Sequence, residues 1–261
     1  ELAVPSIEKM VQHLNKTIIG QQAAKETTSI AIRNHYKRMM LSDDDKEMVE
    51  KSNILLMGGS GTGKTAIIKS IAKYIDVPFV IADASTYTSY GYVGADVSDI
   101  IKDLYEASGR DIEQTERGIV FLDEIDKKRK SKESSGRVEP GGEQAQQAFL
   151  KLVEGSEVKI DKKTTINTKN ILFIAGGAFV GIDNIVKQRI KKKTGIGYVS
   201  SETRKQNLNN STNPYADVNT EDLIEYGMTP EFVGRFPVIS YTDTLTKSDI
   251  VDIIKKTDNS I

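Results

Sequence analysis

The chain has 261 residues, 38% of them hydrophobic and 28% charged, which is enough to bury one large core or two modest ones. Its 36 basic residues are balanced by 37 acidic ones, so the overall charge gives no reason to expect a nucleic acid or an anionic membrane as a partner. The chain has no cysteine, which excludes disulfides, thiol catalysis and cysteine-ligated zinc. This composition fits a reducing compartment, and the expected location is the cytoplasm or an organelle matrix.

The first 15 residues are not expected to be a signal peptide. Glu8, Lys9 and His13 lie where a signal peptide needs an unbroken apolar stretch, and no apolar run approaches the length of a membrane span. Residue 1 is Glu1 rather than Met, so we expect a fragment of a longer, globular protein.

Short apolar runs alternate along the chain with longer segments of helical period. This alternation predicts an α/β fold in which a mostly parallel sheet is covered by helices on both faces. The five candidate strands are residues 53–57, 79–82, 118–122, 171–175 and 237–241. The candidate helices are residues 21–40, 63–74, 97–108, 144–154, 183–191 and 247–256. Polar, Gly-rich or Lys-rich inserts at residues 127–142, 157–170 and 192–219 interrupt this pattern, and such inserts carry function or lack fixed structure.

The strongest motif follows the first candidate strand and precedes a candidate helix. Its residues are Gly58, Gly59, Ser60, Gly61, Thr62, Gly63, Lys64 and Thr65, followed by Ala66. This is the order and the setting of a P-loop, in which glycines turn backbone N–H groups toward phosphates and the helix N-terminus adds partial positive charge. Lys64 is predicted to reach the β- and γ-phosphates of ATP, and Thr65 to bind Mg²⁺. A Gly-rich turn that matches by chance is the alternative.

The third candidate strand is fully apolar and ends in two carboxylates, Asp123 and Glu124. Adjacent residues at a strand tip point to opposite sides, so the two acids can have different roles. Asp123 is predicted to hold Mg²⁺, and Glu124 to orient and deprotonate the water that attacks the γ-phosphate. An acidic turn after a buried strand is the alternative. Asp126 is predicted to be structural, through capping or through pairing with Lys127 or Lys128.

The segment from Asp123 to Lys127, together with the motifs below, resembles the Clp/HslU-type AAA+ protein unfoldases over residues 16–256. The resemblance implies an αβα three-layer P-loop NTPase with a five-stranded, mostly parallel sheet. It implies a large ATPase subdomain over residues 1–245, with an N-terminal helical segment at 6–40, and a helix at 246–261 that leads toward an absent lid domain. It also implies a homohexameric ring that uses ATP and Mg²⁺ to pull polypeptide through a central pore.

Two segments near the start also match this family. Ile18 and Ile19, followed by Gly20 and Gln21, resemble the segment that packs against adenine, although an apolar pair is more commonly part of a core. His35 is predicted to be a packing or hydrogen-bonded residue of a helix rather than a metal ligand, because no second His stands at a metal-ligand spacing.

The segment Gly91, Tyr92, Val93 and Gly94 resembles the family loop that projects into the central pore and grips polypeptide. An amphipathic ring between flexible glycines suits a grip that does not depend on substrate sequence. An exposed aromatic turn and a base-stacking platform are the alternatives.

Arg235 lies in a segment, residues 229–237, that resembles the family segment carrying an arginine finger. The resemblance implies that Arg235 reaches the γ-phosphate held by a neighbouring subunit, which would make hydrolysis depend on assembly. An ion pair with a local acid such as Glu231 is the alternative.

Several features depart from the family. Ile196, Gly197 and Tyr198 resemble the Ile-Gly-Phe tip that docks a ClpP-like peptidase, but Tyr replaces Phe. Whether this tip docks a peptidase is therefore left open by the sequence.

The insert at 157–170 lacks the family's Arg-Lys-His loop, which puts tag recognition in doubt. The fourth strand ends in Gly176 and Gly177, so no residue is assigned as a γ-phosphate sensor. Without the lid, weak nucleotide binding and slow hydrolysis are expected of this fragment.

Two functions from other classes remain open. One is an AAA+ motor that remodels nucleic acid, which single-stranded DNA or RNA rather than unfolded protein would stimulate. The other is a nucleotide-dependent scaffold that assembles without hydrolysis. The paired carboxylates favour hydrolysis, and the sequence favours a protein substrate.

Overall fold

A computed structural model of the chain describes residues 4–87, 96–130, 141–194 and 213–256. Two of the predicted sites, the pore motif at 91–94 and the docking tip at 196–198, lie outside the described residues.

The centre of the fold is a parallel sheet of five strands in the order β2-β3-β6-β1-β7. In chain order the strands are β1 (Ile54–Met57), β2 (Phe79–Asp83), β3 (Ile119–Asp123), β4 (Glu157–Lys159), β5 (Thr165–Asn167), β6 (Leu172–Gly177) and β7 (Val238–Tyr241). Because the strands of the larger sheet are parallel, their carboxyl ends lie along one edge. The predicted α/β class and the five predicted strands are confirmed.

Helices flank this sheet. They are α1 (Ile7–Thr17), α2 (Gln22–Met39), α3 (Asp43–Met48), α4 (Lys64–Tyr74), α5 (Asp99–Ala107), α6 (Ile112–Glu116), α7 (Gly141–Glu154), α8 (Ile182–Thr194), α9 (Thr220–Tyr226), α10 (Pro230–Gly234) and α11 (Lys247–Lys256). None of the helices among the described residues is both long and apolar enough to span a membrane.

The core is divided between the two faces of the sheet, because successive side chains of a strand point to opposite sides. Ile54 and Leu56 of β1 join the cluster that includes residues of α1, α2 and α4. Leu55 and Met57 join the cluster that includes residues of α5, α7 and α10. The result is the three-layer αβα arrangement.

Residues 157–170, predicted to be an insert, contain an antiparallel hairpin of β4 and β5. Val158 and Ile166 face each other in its register and are both buried, which explains why the hairpin folds onto the core. The strands are three residues long, too short for the alternation of apolar and polar residues to stand out in the sequence.

His35 on α2 is fully buried and confirms the expected hydrogen-bonded role. Its Nε2 lies 3.0 Å from the carbonyl oxygen of Asn170, and since a carbonyl only accepts, Nε2 is the protonated nitrogen. Burial lowers the pKa of His35 from 6.5 to about 3, with a further lowering by the charge of Lys51. The folded protein therefore keeps this imidazole neutral.

The buried His35 makes stability depend on pH. The unfolded chain takes up a proton on this imidazole below about pH 6.5, whereas the folded chain does not until about pH 3, so acid favours unfolding. We expect this one group to lower the unfolding free energy by roughly 3 kcal/mol between about pH 7 and pH 4. Denaturant titrations should show a shallower pH dependence for His35→Gln, whereas His13→Gln, at the other, half-buried histidine, should keep most of it. Equal slopes for the wild type and His35→Gln would contradict this assignment.

Candidate functional site

A cleft of about 380 Å³ opens at the carboxyl ends of β1, β3 and β6. It is lined by Ser60, Gly61, Gly63, Lys64, Thr65, Ala66, Asp123, Glu124, Asp126, Lys127, Gly177 and Ala178. The candidate P-loop and the candidate acid pair, about 60 residues apart in the sequence, therefore share one cleft. Ligands of open α/β sheets bind at this edge.

The P-loop connects β1 to α4 through backbone conformations that favour glycine. Gly61 and Gly63 have φ angles of +76° and +97°, in the left-handed region that side chains disfavour. A Cβ built at either position would meet nothing within 4 Å, so the space in front of the loop is open. This open cradle at the start of a helix fits an anion such as phosphate.

Lys64, the first residue of α4, turns back over its own loop. Its Nζ donates to the carbonyl oxygens of Gly58 at 2.6 Å and Gly59 at 2.9 Å. Burial lowers the pKa of Lys64, while the charges of Asp123 and Asp126 oppose this shift. The ammonium group thus lies between the loop carbonyls and the acids of the cleft, where phosphate oxygens would compete for it.

The acid pair has an unusual backbone. Glu124 adopts a left-handed conformation with φ 57° and ψ 31°, and its N–H donates to Asp123 Oδ1 at 2.9 Å. The two carboxylates have different partners in this turn. The Glu124 carboxylate forms an ion pair with Lys127. A non-glycine residue in this region carries strain of about 1 kcal/mol or more, which is often found at functional sites.

Asp126 is structural, but not through the predicted partners. Its Oδ2 accepts from the N–H of Phe179 at 3.1 Å, whereas Lys127 pairs with Glu124 and Lys128 donates to the carbonyl oxygen of Ser85. The prediction of pairing with Lys127 or Lys128 was therefore wrong. The bond to Phe179 ties the acid turn after β3 to the loop after β6, because a backbone amide is a fixed donor.

Gly176 and Gly177 at the end of β6 leave space for their neighbours. A Cβ on Gly176 would lie 2.5 Å from the ring of Phe121, and one on Gly177 would lie 2.4 Å from Asp126 Oδ1. These clashes explain why no larger side chain stands at this strand tip, where the sequence offered no sensor residue.

Thr242 belongs to the cleft region but was missed in the sequence. It follows β7, its N–H donates to the carbonyl oxygen of Met57 at 2.8 Å, and its hydroxyl shares a 2.5 Å hydrogen bond with Thr62 of the P-loop. The signal that could have found it is its place directly after the fifth strand, since the carboxyl ends of parallel strands meet at the ligand-binding edge.

The segment that includes Ile18 and Ile19 is fixed near Thr242 through its neighbour Gln21. Both isoleucines are half-buried. Gln21 accepts from the N–H of Asp243 at 2.6 Å and donates to the carbonyl oxygen of the same residue at 2.8 Å. The candidate adenine segment is thus tied to the residue after Thr242, which itself contacts the P-loop.

Arg235 lies at the other end of β1 from the P-loop. Asn53, directly before β1, donates through Nδ2 to the carbonyl oxygen of Arg235 at 2.9 Å, whereas the P-loop begins directly after β1. The guanidinium pairs with Glu154 at 2.9 Å. The alternative partner Glu231 was therefore wrong, and Arg235 does not line the cleft of its own chain.

Within the described ranges, no group of three or more His, Asp or Glu side chains is arranged to hold a metal ion by itself. Thr65 and Asp123 are the two candidate metal ligands in the cleft. This sparse oxygen set suits Mg²⁺, which keeps several waters and is commonly bound through substrate phosphates as well as one or two protein oxygens.

Comparison with known proteins gives consistent matches. The AAA domain (Cdc48 subfamily) profile matches residues 49–239. The ATP-dependent Clp protease ATP-binding subunit ClpX of Azotobacter vinelandii is 42% identical over 96% of this chain and 60% of its own length. The ClpX proteins of Borrelia duttonii and Treponema denticola are 44% and 42% identical over 99% of this chain and 62% and 65% of their lengths. The chain thus spans about three fifths of these relatives, and the resemblance read from its motifs is confirmed.

Proposed function

Because this chain belongs to the AAA domain family (Cdc48 subfamily), we propose that it is the ATP-binding and ATP-hydrolysing part of a ring-forming protein unfoldase. One observation carries the proposal. The P-loop and the acid pair share a cleft at the carboxyl edge of the sheet, whereas Arg235 lies at the amino end of the same central strand. A single copy holds the parts of a nucleotide site but keeps its arginine on another side, so a neighbouring copy completes the site.

The P-loop amides bind the phosphates of ATP in this proposal. Lys64 exchanges its bonds to Gly58 and Gly59 for bonds to phosphate oxygens, because a charged acceptor is stronger than a carbonyl. Thr65 and Asp123 hold Mg²⁺, which when bound neutralises phosphate charge. Ile18 and Ile19 offer apolar surface to the adenine.

Glu124 is the general base in the proposed reaction. It accepts a proton from the water that attacks the γ-phosphorus, the bond to the bridging oxygen breaks, and ADP and phosphate leave. Lys127 must first release the Glu124 carboxylate, since the ion pair occupies a carboxylate oxygen that the attacking water needs. Arg235 of the neighbouring copy then stabilises the charge of the transition state.

The motor acts on polypeptide through the segment from Gly91 to Gly94. Tyr92 supplies an aromatic contact that grips many sequences, which is what an unfoldase needs. The relatives' names describe them as ATP-binding subunits of a Clp protease, so a homohexameric ring and a ClpP-like peptidase are the proposed partners, with Ile196, Gly197 and Tyr198 as the docking tip.

Tyr92→Ala tests this function in the full-length protein. We expect ATP-dependent unfolding of a tagged fluorescent protein to fall at least about tenfold, because aromatic anchors dominate contact energies, while ATP hydrolysis stays within about twofold. The matched control is Tyr90→Ala, which removes a ring from the same stretch outside the motif. Wild-type protein that hydrolyses ATP only with single-stranded nucleic acid would instead support a nucleic-acid motor.

A further inference from the structure

A second opening lies at the amino ends of β1, β6 and β7, on the edge of the sheet opposite the cleft. It has a volume of about 370 Å³. We call it the basal cavity and define it by its main charged lining residues, Arg38, Lys51, Glu154, Lys169 and Arg235. With Lys46 and Glu50 included, its lining carries five cationic side chains and two carboxylates. This excess of positive charge in a concave space attracts anions.

Among the side chains that the structure describes, Arg38 is a buried cation that forms no ion pair. The residue is only 8% exposed, and its guanidinium donates to the carbonyl oxygens of Val49 at 2.6 Å and Lys46 at 2.9 Å. Its third nitrogen, Nη1, has no hydrogen-bond partner in the part of the chain that the structure describes. Burying a cation without a paired anion is costly, and an anion in the adjoining cavity would offset that cost even without contacting Nη1.

Lys51 is held beside Arg38 in a similar state. Its Nζ donates to the carbonyl oxygen of Ile171 at 2.8 Å and lies 5.1 Å from the ring centre of Phe173. Burial, together with the charge of Arg38, lowers the pKa of Lys51 to about 7. The ammonium group thus has neutral partners where a charged one would stabilise it.

Arg235 and Glu154 form the exposed side of the basal cavity. Their side chains are 55% and 41% exposed, and such a surface ion pair contributes about 1 kcal/mol or less. A doubly charged anion can therefore replace the Glu154 carboxylate at Arg235 at little cost. A guanidinium also matches the oxygens of a phosphate in two-bond geometry.

We propose that the basal cavity is a binding site for a phosphate-like oxyanion, and that Arg235 turns from Glu154 to this anion when it binds. Two sources supply such an anion. One is free phosphate, and the other is the nucleotide of a neighbouring copy, which rests on the proposed function. If the anion is the neighbour's nucleotide, Arg235 contacts its phosphates, and Lys51 and Arg38 add positive charge beside that contact.

Sulfate, titrated calorimetrically into nucleotide-free, full-length Lys64→Ala protein, tests the site because this variant weakens competing binding at the P-loop. Lys51→Met in this background is expected to weaken sulfate binding about fivefold, since it removes one charge beside the anion. Glu154→Gln should strengthen binding about threefold, because it removes the competing carboxylate. Lys162→Met, at an exposed lysine of the β4–β5 turn, is the matched control and should change nothing.

The opposite signs of the two effects separate binding from damage, because a misfolded variant cannot bind more tightly. Absence of saturable sulfate binding, or binding that Lys51→Met and Glu154→Gln leave unchanged, would overturn the proposal. A second arm adds a saturating, non-hydrolysable ATP analogue to assembled protein with an intact P-loop. Loss of sulfate binding there assigns the site to the neighbour's nucleotide, and retained binding assigns it to free phosphate. Neither readout depends on turnover, so failure of the proposed function would be seen separately.

Discussion

Glu124→Gln in the full-length protein is expected to slow ATP hydrolysis at least about 100-fold, because the amide cannot accept the proton of the attacking water. ATP affinity should stay within about threefold, since the P-loop amides, Lys64 and Thr65 remain in place. Steady-state phosphate release gives the first quantity, and equilibrium titration with a fluorescent nucleotide gives the second.

The matched control for this prediction is Glu143→Gln. Glu143 is also an exposed acid paired with a lysine, Lys130, but it does not line the cleft. Its loss should leave hydrolysis within about twofold, as expected for a surface pair. Unchanged turnover in Glu124→Gln would remove Glu124 as the base. If wild-type protein binds ATP and assembles but never hydrolyses it, the scaffold interpretation is correct instead.

Arg235→Ala is expected to reduce hydrolysis by the assembled protein about 1,000-fold, which is the lower end of what an arginine finger contributes. Nucleotide binding by each chain should stay within about threefold, because Arg235 lies outside the cleft of its own copy. The variant should also keep its thermal stability, since its pair with Glu154 is exposed.

Glu154→Gln is the control for Arg235→Ala. It breaks the same ion pair but keeps the guanidinium, so hydrolysis should change by no more than a few fold. If Glu154→Gln were as inactive as Arg235→Ala, the ion pair rather than the arginine would be the functional unit.

The five core strands and the P-loop could be predicted from the sequence because their signals are local. An apolar run of four to six residues bounded by polar groups is typical of a buried strand, and the glycine pattern specifies a loop conformation. The shared cleft could also be predicted, because the parallel strands that end at Met57 and Asp123 have their carboxyl ends at one edge of the sheet.

Short elements and long-range partners could not be predicted. The hairpin of β4 and β5 depends on the burial of Val158 and Ile166 against a core that is distant in sequence. The partner of Arg235 is Glu154, 81 residues away, rather than the nearby Glu231. Such pairs depend on how α7 and α10 pack, which no local pattern specifies.

Backbone conformation at the acid pair is the other feature that sequence could not give. Glutamate rarely adopts a left-handed conformation, and Glu124 does so because the turn after β3 is fixed on both sides. Asp123 accepts from the Glu124 N–H, and Asp126 accepts from Phe179. The strain is thus held by tertiary contacts rather than by the residue itself.

Mixing two inactive variants tests most directly whether the nucleotide site is shared between copies. Full-length Glu124→Gln and Arg235→Ala proteins, each expected to be inactive alone, should recover hydrolysis when assembled together, because an Arg235→Ala copy keeps its base and receives arginine from a Glu124→Gln neighbour. If the sites act independently, random mixing of equal amounts should restore roughly a quarter of wild-type activity. Half of the copies keep the base, and half of these have a neighbour that supplies the arginine. No recovery in rings shown to contain both variants would contradict a site completed by the neighbouring copy.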